Sequence, residues 1–238
     1  MRVNGVPYRT VWMDGAIIKM IDQRRLPFAF EVLSLSTVQE TAEAIREMAV
    51  RGAGAIGVTA GFGMAQAMLT APASEFEPHI LRAASLLRAT RPTAQNLFYA
   101  IDRVLERAGP LGEVEGCRAR AVDAAQRIAD EDALAGERIG EIAQPLIPPS
   151  SAILTHCNAG WLAFADWGSA LAPIYRAHRD GKGIAVFATE TRPRAQGAKL
   201  TAWELAQEQV PFTLVPDTAV GSLMQRRLVQ LVVVGAAR

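Results

Sequence analysis

The sequence is poor in the side chains that cross-link small proteins or bind metal ions. Its 238 residues include two cysteines and three histidines. Cys117 and Cys157 do not make a disulfide framework, so we expect a reducing, cytoplasmic setting. The histidines, at positions 79, 156 and 178, have no ligand spacing, and we therefore expect no metal site.

An excess of charge of one sign is also missing. The formal net charge is +1, which gives no electrostatic reason to expect nucleic acid or an anionic membrane as a partner. The first residues have no apolar signal core, and no run is predicted to reach membrane-spanning length. The chain is 50% hydrophobic and 21% charged, which is typical of a globular protein with one large domain or two small ones.

The first third of the chain predicts short strands followed by helices. Apolar segments flank the turn signal Asp14-Gly15, and residues 27–33 are a further extended candidate. A helix is predicted to begin at Thr37, with Glu40 in the position of a capping box. It stops at a glycine-containing turn, residues 51–54.

That turn opens a second helix made of small and apolar residues. Backbone amides at its start, with Arg51 beside them, would form a cradle for an anion. The alternative is a helix end followed by a tight turn with no ligand. The residues alone leave both interpretations open.

Residues 71–150 predict further helices, ending in a long charged one over 116–146. Three prolines at 145, 148 and 149 then mark a boundary. We therefore expect two domains, residues 1–147 with strands and helices, and residues 148–238 with a different pattern.

Beyond the boundary, short apolar runs alternate with helical stretches. This alternation predicts a parallel sheet built from right-handed strand–helix–strand units. The predicted strands are 152–156, 184–188, 211–215 and 229–234, and the predicted helices are 162–178, 197–208 and 220–226.

Polar residues follow these strands where a ligand would bind. In open α/β sheets the ligand crevice lies at the carboxyl ends of the strands, and Cys157 immediately follows the first of them. The alternative is that Cys157 is a small buried hydrophobe, as free cysteines often are. The turn after it lacks the glycines of a dinucleotide fingerprint, so no cofactor is expected.

Six motifs, spread from near the start to the last residue, resemble one family. It holds methylthioribose-1-phosphate isomerases, ribose-1,5-bisphosphate isomerases and the regulatory subunits of translation initiation factor two-B. The motifs are Ile-Arg-Glu-Met-Ala-Val-Arg-Gly-Ala at 45–53, Arg-Pro-Thr-Ala-Gln-Asn-Leu at 91–97, Leu-Thr-His-Cys-Asn-Ala-Gly at 154–160, Glu-Thr-Arg-Pro at 190–193, Gln-Gly-Ala-Lys-Leu-Thr-Ala-Trp-Glu-Leu at 196–205, and Val-Gly-Ala-Ala-Arg at 234–238.

The resemblance implies a helical N-terminal domain on a Rossmann-like C-terminal domain, and a homodimer. It implies isomerisation of a cyclic aldose 1-phosphate to an open ketose 1-phosphate in methionine salvage. The family cysteine matches Cys157. The family contacts to the sugar phosphate match Arg51, Gly52, Ala53, Arg91 and Gln196.

Two departures from the family pattern modify these expectations. Ala237 stands where the family has a catalytic aspartate, and relatives continue beyond Arg238, so the parallel-sheet domain is incomplete relative to the family. We accordingly expect weak or no turnover from this chain. We also expect the strand at 229–234 to pair with 152–156 and to leave its other edge uncovered.

Two alternatives remain at this stage. Gly54, Arg194 and residues 217–220 resemble the ribose-1,5-bisphosphate branch of the family. The absent aspartate and the short chain suggest a non-catalytic regulatory relative, whereas the presence of Cys157, Arg51, Arg91 and Gln196 favours a sugar-phosphate pocket. The motifs at 91–97 and 154–160 favour the methylthioribose branch.

Overall fold

The computed structural model describes residues 1–236, so Ala237 and Arg238 lie outside it. Short antiparallel strands come first: β1 (Arg2–Val3) pairs with β2 (Val6–Pro7), and β3 (Val11–Asp14), β4 (Ile17–Ile21) and β5 (Val32–Leu35) form a second small sheet in that order. Asp14 pairs with Ile17 across the predicted turn, where Gly15 has a φ of +61°. The turn prediction is therefore confirmed.

Helix α1 (Val38–Arg46) begins where the capping signal predicts. The Glu40 N–H donates to Thr37 Oγ1 at 3.2 Å, and the Thr37 N–H donates to Glu40 Oε2 at 3.2 Å. Each bond satisfies a backbone donor that the helix itself leaves unpaired.

Helix α2 (Ala53–Thr70) lies at the centre of the helical part, against α3 (Phe76–Arg88), α4 (Gln95–Ala108) and α5 (Val114–Ala143). Its glycines let these neighbours approach closely: a Cβ at Gly57 would lie 3.0 Å from Asn96 O. By length and composition α2 is long and apolar enough to cross a membrane, although the sequence analysis predicted no run of that length. However, 83% of the helix is buried inside the protein. We therefore interpret it as a core helix.

The second half of the described chain forms the parallel sheet that the sequence predicts. In chain order its elements are β6 (Ala152–Thr155), α6 (Ala172–Arg179), β7 (Ala185–Thr189), α7 (Ala202–Gln207), β8 (Phe212–Val215), α8 (Val220–Gln225) and β9 (Leu231–Val232). The strand order is β8-β7-β6-β9, with all neighbours parallel. The predicted fold class is confirmed, as is the pairing of the last strand with the first.

One helix prediction is wrong in its first half. Residues 162–171 do not form the start of a helix; a single 3-10 turn, Trp161–Ala163, precedes an irregular segment. Trp167 and Gly168 have φ values of +61° and +85°, which a right-handed helix cannot contain. The Ala165 N–H donates instead to Asp132 Oδ2 at 2.6 Å, so contacts with α5 outweigh the helix propensity of this segment.

Two hydrophobic clusters fill the interior. The first joins β3 and β4 to helices α1–α5, and the second surrounds the parallel sheet. The N-terminal strands contribute to both, because Met20 belongs to the first cluster and Ile21 to the second. Successive residues of a strand point to opposite faces, so β4 fills both clusters at once.

The capping box makes a prediction about stability. Replacing Thr37→Ala removes the oxygen that accepts from the Glu40 N–H, and the free energy of unfolding should fall by about 1 kcal/mol. Urea unfolding measures this value. Thr37→Ser keeps the hydroxyl and serves as the control; equal losses in the two variants would show that the cap is not the source of the effect.

Candidate functional site

The carboxyl ends of three neighbouring strands are tied together by hydrogen bonds. The Cys157 N–H, after β6, donates to Thr191 Oγ1 at 2.9 Å, after β7. The N–H groups of Thr191 and Arg192 donate to the two carboxylate oxygens of Asp217, after β8, at 2.8 and 2.7 Å. These bonds, that of Arg192 foremost, lower the pKa of Asp217. The sheet edge is thus a rigid rim.

Cys157 is half-buried on this rim and has an unusual backbone. Its φ is +63°, a conformation that costs a residue with a side chain about 1–2 kcal/mol. The bond from its N–H to Thr191 holds one side, and Thr201 Oγ1 donates to its carbonyl oxygen at 2.6 Å on the other. Met48, Thr191 and Ala195 nearby also have positive φ, and such strain concentrates at functional sites.

Arg51 enters from the other side, between α1 and α2. Its Nη1 donates to Asn158 Oδ1 at 3.1 Å, which places it next to the residue that follows Cys157. Burial lowers the pKa of Arg51; Cys157 and Glu204 act to raise it, and Arg91 and Arg194 lower it further. Loss of water and the two neighbouring cations therefore outweigh the groups that favour the charged guanidinium.

A cavity of about 530 Å³ opens beside Arg51. Arg51, Gly52, Arg91 and Gln196, four of the six residues that the resemblance implies, line it. Arg46 and Arg194 add two further cations at its wall. A second cavity of about 350 Å³ adjoins the first and shares Arg51, Arg194 and Gln196 with it. Its wall also includes the polar side chains of Gln23, Arg24 and Lys199.

The start of α2 faces the same region. Gly52 is its N-cap, with a φ of +92°, and the first turn contains no acidic side chain. Ala53 is the first helical residue. The amides of this turn lack a side-chain cap, so they and the helix dipole favour an anion. A Cβ at position 52 would overlap the backbone of Ala163, which explains why glycine is needed there.

The structure leaves two of the implied residues outside the cavity wall. Ala53 and Cys157 are not among the described residues that line the cavity of about 530 Å³. Ala53 contributes backbone at the helix start, and Cys157 adjoins through Asn158. The alternative of a fully buried, inert Cys157 is disfavoured by its partial exposure on the rim. Sequence reasoning assigned no role to Arg46, although it lies in the motif at 45–53, and it missed Gln23, which belongs to none of the motifs.

Polar atoms without partners mark the same place. Within residues 1–236, Arg91 Nη1 and Gln23 Oε1 are buried and form no hydrogen bond. Leaving such an atom unpaired costs about 1–3 kcal/mol. Within the same residues, no group of three or more acidic, histidine or cysteine side chains is arranged to hold a metal ion.

Two carboxyls shielded from water lie near the site, Glu204 fully buried and Asp132 half-buried. Glu204 accepts from Asn158 Nδ2 at 2.5 Å and from the Tyr175 hydroxyl at 2.8 Å. Burial raises its pKa to about 7, although Asn158, Tyr175 and the N–H groups of Leu162 and Trp161 act to lower it. Asp132, close to Gly54 at the start of α2, has a pKa raised by burial to about 6.

The chain has known relatives over its whole length. Residues 49–238 match the model of the initiation factor 2 subunit family. The whole chain is 48% identical to a methylthioribose-1-phosphate isomerase of Methylocella silvestris, of which it covers 67%. It is 49% identical to one of Methylorubrum extorquens, with the same coverage. The chain thus spans about two thirds of the length of these relatives.

Solved structures agree with these sequence matches. A 5-methylthioribose 1-phosphate isomerase from Pyrococcus horikoshii superposes with a TM-score of 0.91 at 39% identity, over 98% of this chain and 66% of that one. The structure of translation initiation factor eIF-2B, subunit delta, from A. fulgidus superposes with a TM-score of 0.88 at 41% identity, over 98% of this chain and 69% of that one. The resemblance found in the sequence is therefore confirmed.

Asp132 makes the stability of the protein depend on pH. The folded protein holds the Asp132 proton up to about pH 6, whereas the ordinary pKa is 3.8. Because the folded state binds more protons in this window, the free energy of unfolding should fall as pH rises from about 4 to 6.

In the Asp132→Asn variant the free energy of unfolding should fall by about 1–2 kcal/mol less over this pH range, because an amide does not titrate. The amide oxygen can still accept from the Ala165 N–H, so the fold is kept. Urea unfolding at a series of pH values measures the difference from the native protein. Asp123→Asn, at an exposed position of the same helix, is the control. A difference between native protein and Asp132→Asn that stays constant from about pH 4 to 7 would contradict the argument.

Proposed function

The chain belongs to the initiation factor 2 subunit family, and from this premise we propose that it is an aldose–ketose isomerase. Its substrate is 5-methylthioribose 1-phosphate and its product 5-methylthioribulose 1-phosphate, in methionine salvage. The observation that carries the proposal is that Arg51, Arg91 and the start of α2 line one cavity, and that Arg51 bonds to Asn158, the residue after Cys157.

The phosphate of such a substrate suits the cationic wall. Arginine guanidinium groups bind phosphate oxygens with two parallel bonds, and amides at a helix start bind them through backbone N–H groups. Arg91 Nη1, buried without a partner, would gain one from the phosphate. A volume of about 530 Å³ lies within the usual range of small-molecule sites.

The chemistry of the substrate sets two demands. Because C1 carries the phosphate, the sugar ring has no free aldehyde, so opening it requires a proton donor at the ring oxygen. Hydrogen must then move from C2 to C1. A group on the sheet rim, beside the bound phosphate, is positioned for such proton transfers. We assign the transfer of hydrogen from C2 to C1 to Cys157, whose thiol would act as the acid or base at carbon.

Arg51, Gly52, Ala53, Arg91 and Gln196 are the proposed substrate contacts. Gly52 and Ala53 supply backbone N–H groups at the start of α2, and Gln196 supplies an amide beside the sugar. The helix preceding this turn and the rim beyond it belong to different hydrophobic clusters. The substrate would therefore bind between the two.

Three accompanying proposals concern the chain as a whole. We propose that it forms a homodimer, as the resemblance implies, and that it works in the cytoplasm, where Cys157 stays reduced. We also propose a division into domains 1–147 and 148–238. Sedimentation velocity tests the first of these, and limited proteolysis near Pro148 tests the last.

Binding of the substrate is the first test of the proposal. Calorimetry should detect 5-methylthioribose 1-phosphate, and Arg51→Met should weaken its binding about 10-fold or more, since a charged hydrogen-bond donor is lost. Arg82→Met, on the exposed face of α3 and paired with Glu75, is the matched control. Native protein that binds ribose 1,5-bisphosphate but not the methylthio sugar would redirect the proposal to that branch of the family.

The position of the family aspartate provides the second test. Ala237 lies outside the described residues, so its role rests on the resemblance. Loss of a catalytic acid or base commonly lowers the rate by about 10²–10⁴. We therefore expect Ala237→Asp to raise turnover by a factor in this range in a coupled ketose assay.

Cys157→Ser in the Ala237→Asp background should return turnover to the background level. Cys117→Ser, at the buried cysteine of α5, controls for the loss of a thiol elsewhere. If Ala237→Asp leaves turnover unchanged while substrate still binds, the aspartate assignment is wrong and the chain is a binding relative.

A further inference from the structure

Glu204 lies fully buried behind the candidate site and is surrounded by hydrogen-bond donors. Asn158 Nδ2 donates to Oε1 at 2.5 Å, and the Tyr175 hydroxyl donates to Oε2 at 2.8 Å. The backbone N–H groups of Trp161 and Leu162 also act on the carboxyl and favour its charged form. Such a set of donors can be satisfied only by acceptor oxygens.

Asn158 links this carboxyl to the cationic wall. Its Nδ2 faces Glu204 and, at 3.2 Å, Thr201 Oγ1, whereas its Oδ1 accepts from Arg51 Nη1 at 3.1 Å. An amide has a donor end and an acceptor end, so one orientation satisfies both neighbours. The reversed amide would place its NH₂ group against the guanidinium and its oxygen against the carboxylate, and both contacts would be lost.

From this arrangement we propose that Glu204 is a positioning residue. It fixes the orientation of the Asn158 amide and thereby holds Arg51 where it binds the phosphate of the substrate. The inference rests on the proposed function in one respect, the role of Arg51 as a phosphate ligand. Glu204 itself does not contact the substrate.

The close packing around Glu204 supports a fixed orientation. A Cβ at Gly160 would overlap Glu204 Oε2, so that side of the carboxyl is pressed against backbone. The charged and titratable groups that face this network are Arg51, Cys157 and Tyr175, with Glu208 and Arg179 acting on Tyr175. Arg51 is the one among them that Asn158 holds directly.

The Glu204→Gln variant tests the orientation. The substitution replaces one acceptor oxygen by a donor NH₂ group of the same size. We expect the oxygen of the new amide to stay with the Tyr175 hydroxyl and to face the backbone N–H groups of Trp161 and Leu162, so that the NH₂ group faces Asn158. Asn158 should then reverse, Arg51 should leave Asn158, and affinity for inorganic phosphate should fall about 10-fold.

An exchange of the two polar groups should restore the site. In the double variant Glu204→Gln with Asn158→Asp, the amide at position 204 can donate to one oxygen of the carboxylate at position 158, while the other oxygen accepts from Arg51. Apart from the longer bond to Thr201, every partner is kept, and the net charge is unchanged. Phosphate affinity should return to within about twofold of the native protein, a recovery that a merely structural role of Glu204 would not produce.

Tyr175→Phe is the matched control. It removes the donor on the far oxygen of Glu204 and leaves Asn158 and Arg51 untouched, so it should lower thermal stability without changing phosphate affinity by more than about twofold. In steady-state assays, where turnover is measurable, Glu204→Gln should raise KM and leave kcat unchanged, because Arg51 holds the phosphate in ground state and transition state alike.

Crystal structures of the variants make the test independent of catalysis. Arg51 withdrawn from position 158 in Glu204→Gln and returned in the double variant would support the inference. An unchanged Arg51–Asn158 contact in Glu204→Gln, equal losses of phosphate affinity in Glu204→Gln and Tyr175→Phe, or a double variant that fails to fold or to bind would overturn it. Native protein that binds phosphate but not the sugar phosphate would refute the proposed function and leave this inference standing.

Discussion

The start of helix α2 packs directly on the segment that follows strand β6, and the geometry of the candidate site depends on this contact. Gly52 lies so close to Ala163 that a Cβ would overlap its backbone, and Gly54 is equally close to Phe164. These approaches are possible only without side chains at the two glycines. They bring Arg51, which follows Val50 of one hydrophobic cluster, to Asn158, which lies between Ile153 and Trp161 of the other.

The concentration of positive charge at this contact runs against stability. Arg51 is half-buried, Arg91 and Arg194 act on it with the same sign, and Arg91 leaves a buried nitrogen unpaired. A protein selected for stability alone would not keep such an arrangement, because like charges in a partly buried site repel each other. An anion bound between them would remove most of this cost. The unfavourable charge of the cavity wall is therefore an argument for an anionic ligand that does not rely on any relative.

Much of the architecture could be predicted from local patterns. The apolar runs predict β6, β7 and β8 to within one residue at their starts, because buried parallel strands need apolar residues on both faces. Periodicity failed at residues 162–171, where the sequence has helix-forming alanines but Asp132 of α5 captures the Ala165 N–H. That competitor is 33 residues away in sequence, and a local pattern contains no information about it.

The candidate site shows the same limit more sharply. Arg51 and Cys157 could be selected because recognisable motifs contain them, but nothing in those motifs says that the two meet through Asn158. The partners of Asn158 are 107 residues before it and 46 after it. Its importance comes from having both a donor and an acceptor end, which matters only when a carboxylate and a guanidinium lie on opposite sides. A single amide, next to Cys157 in the sequence, therefore joins the buried carboxyl of Glu204 to the guanidinium of Arg51.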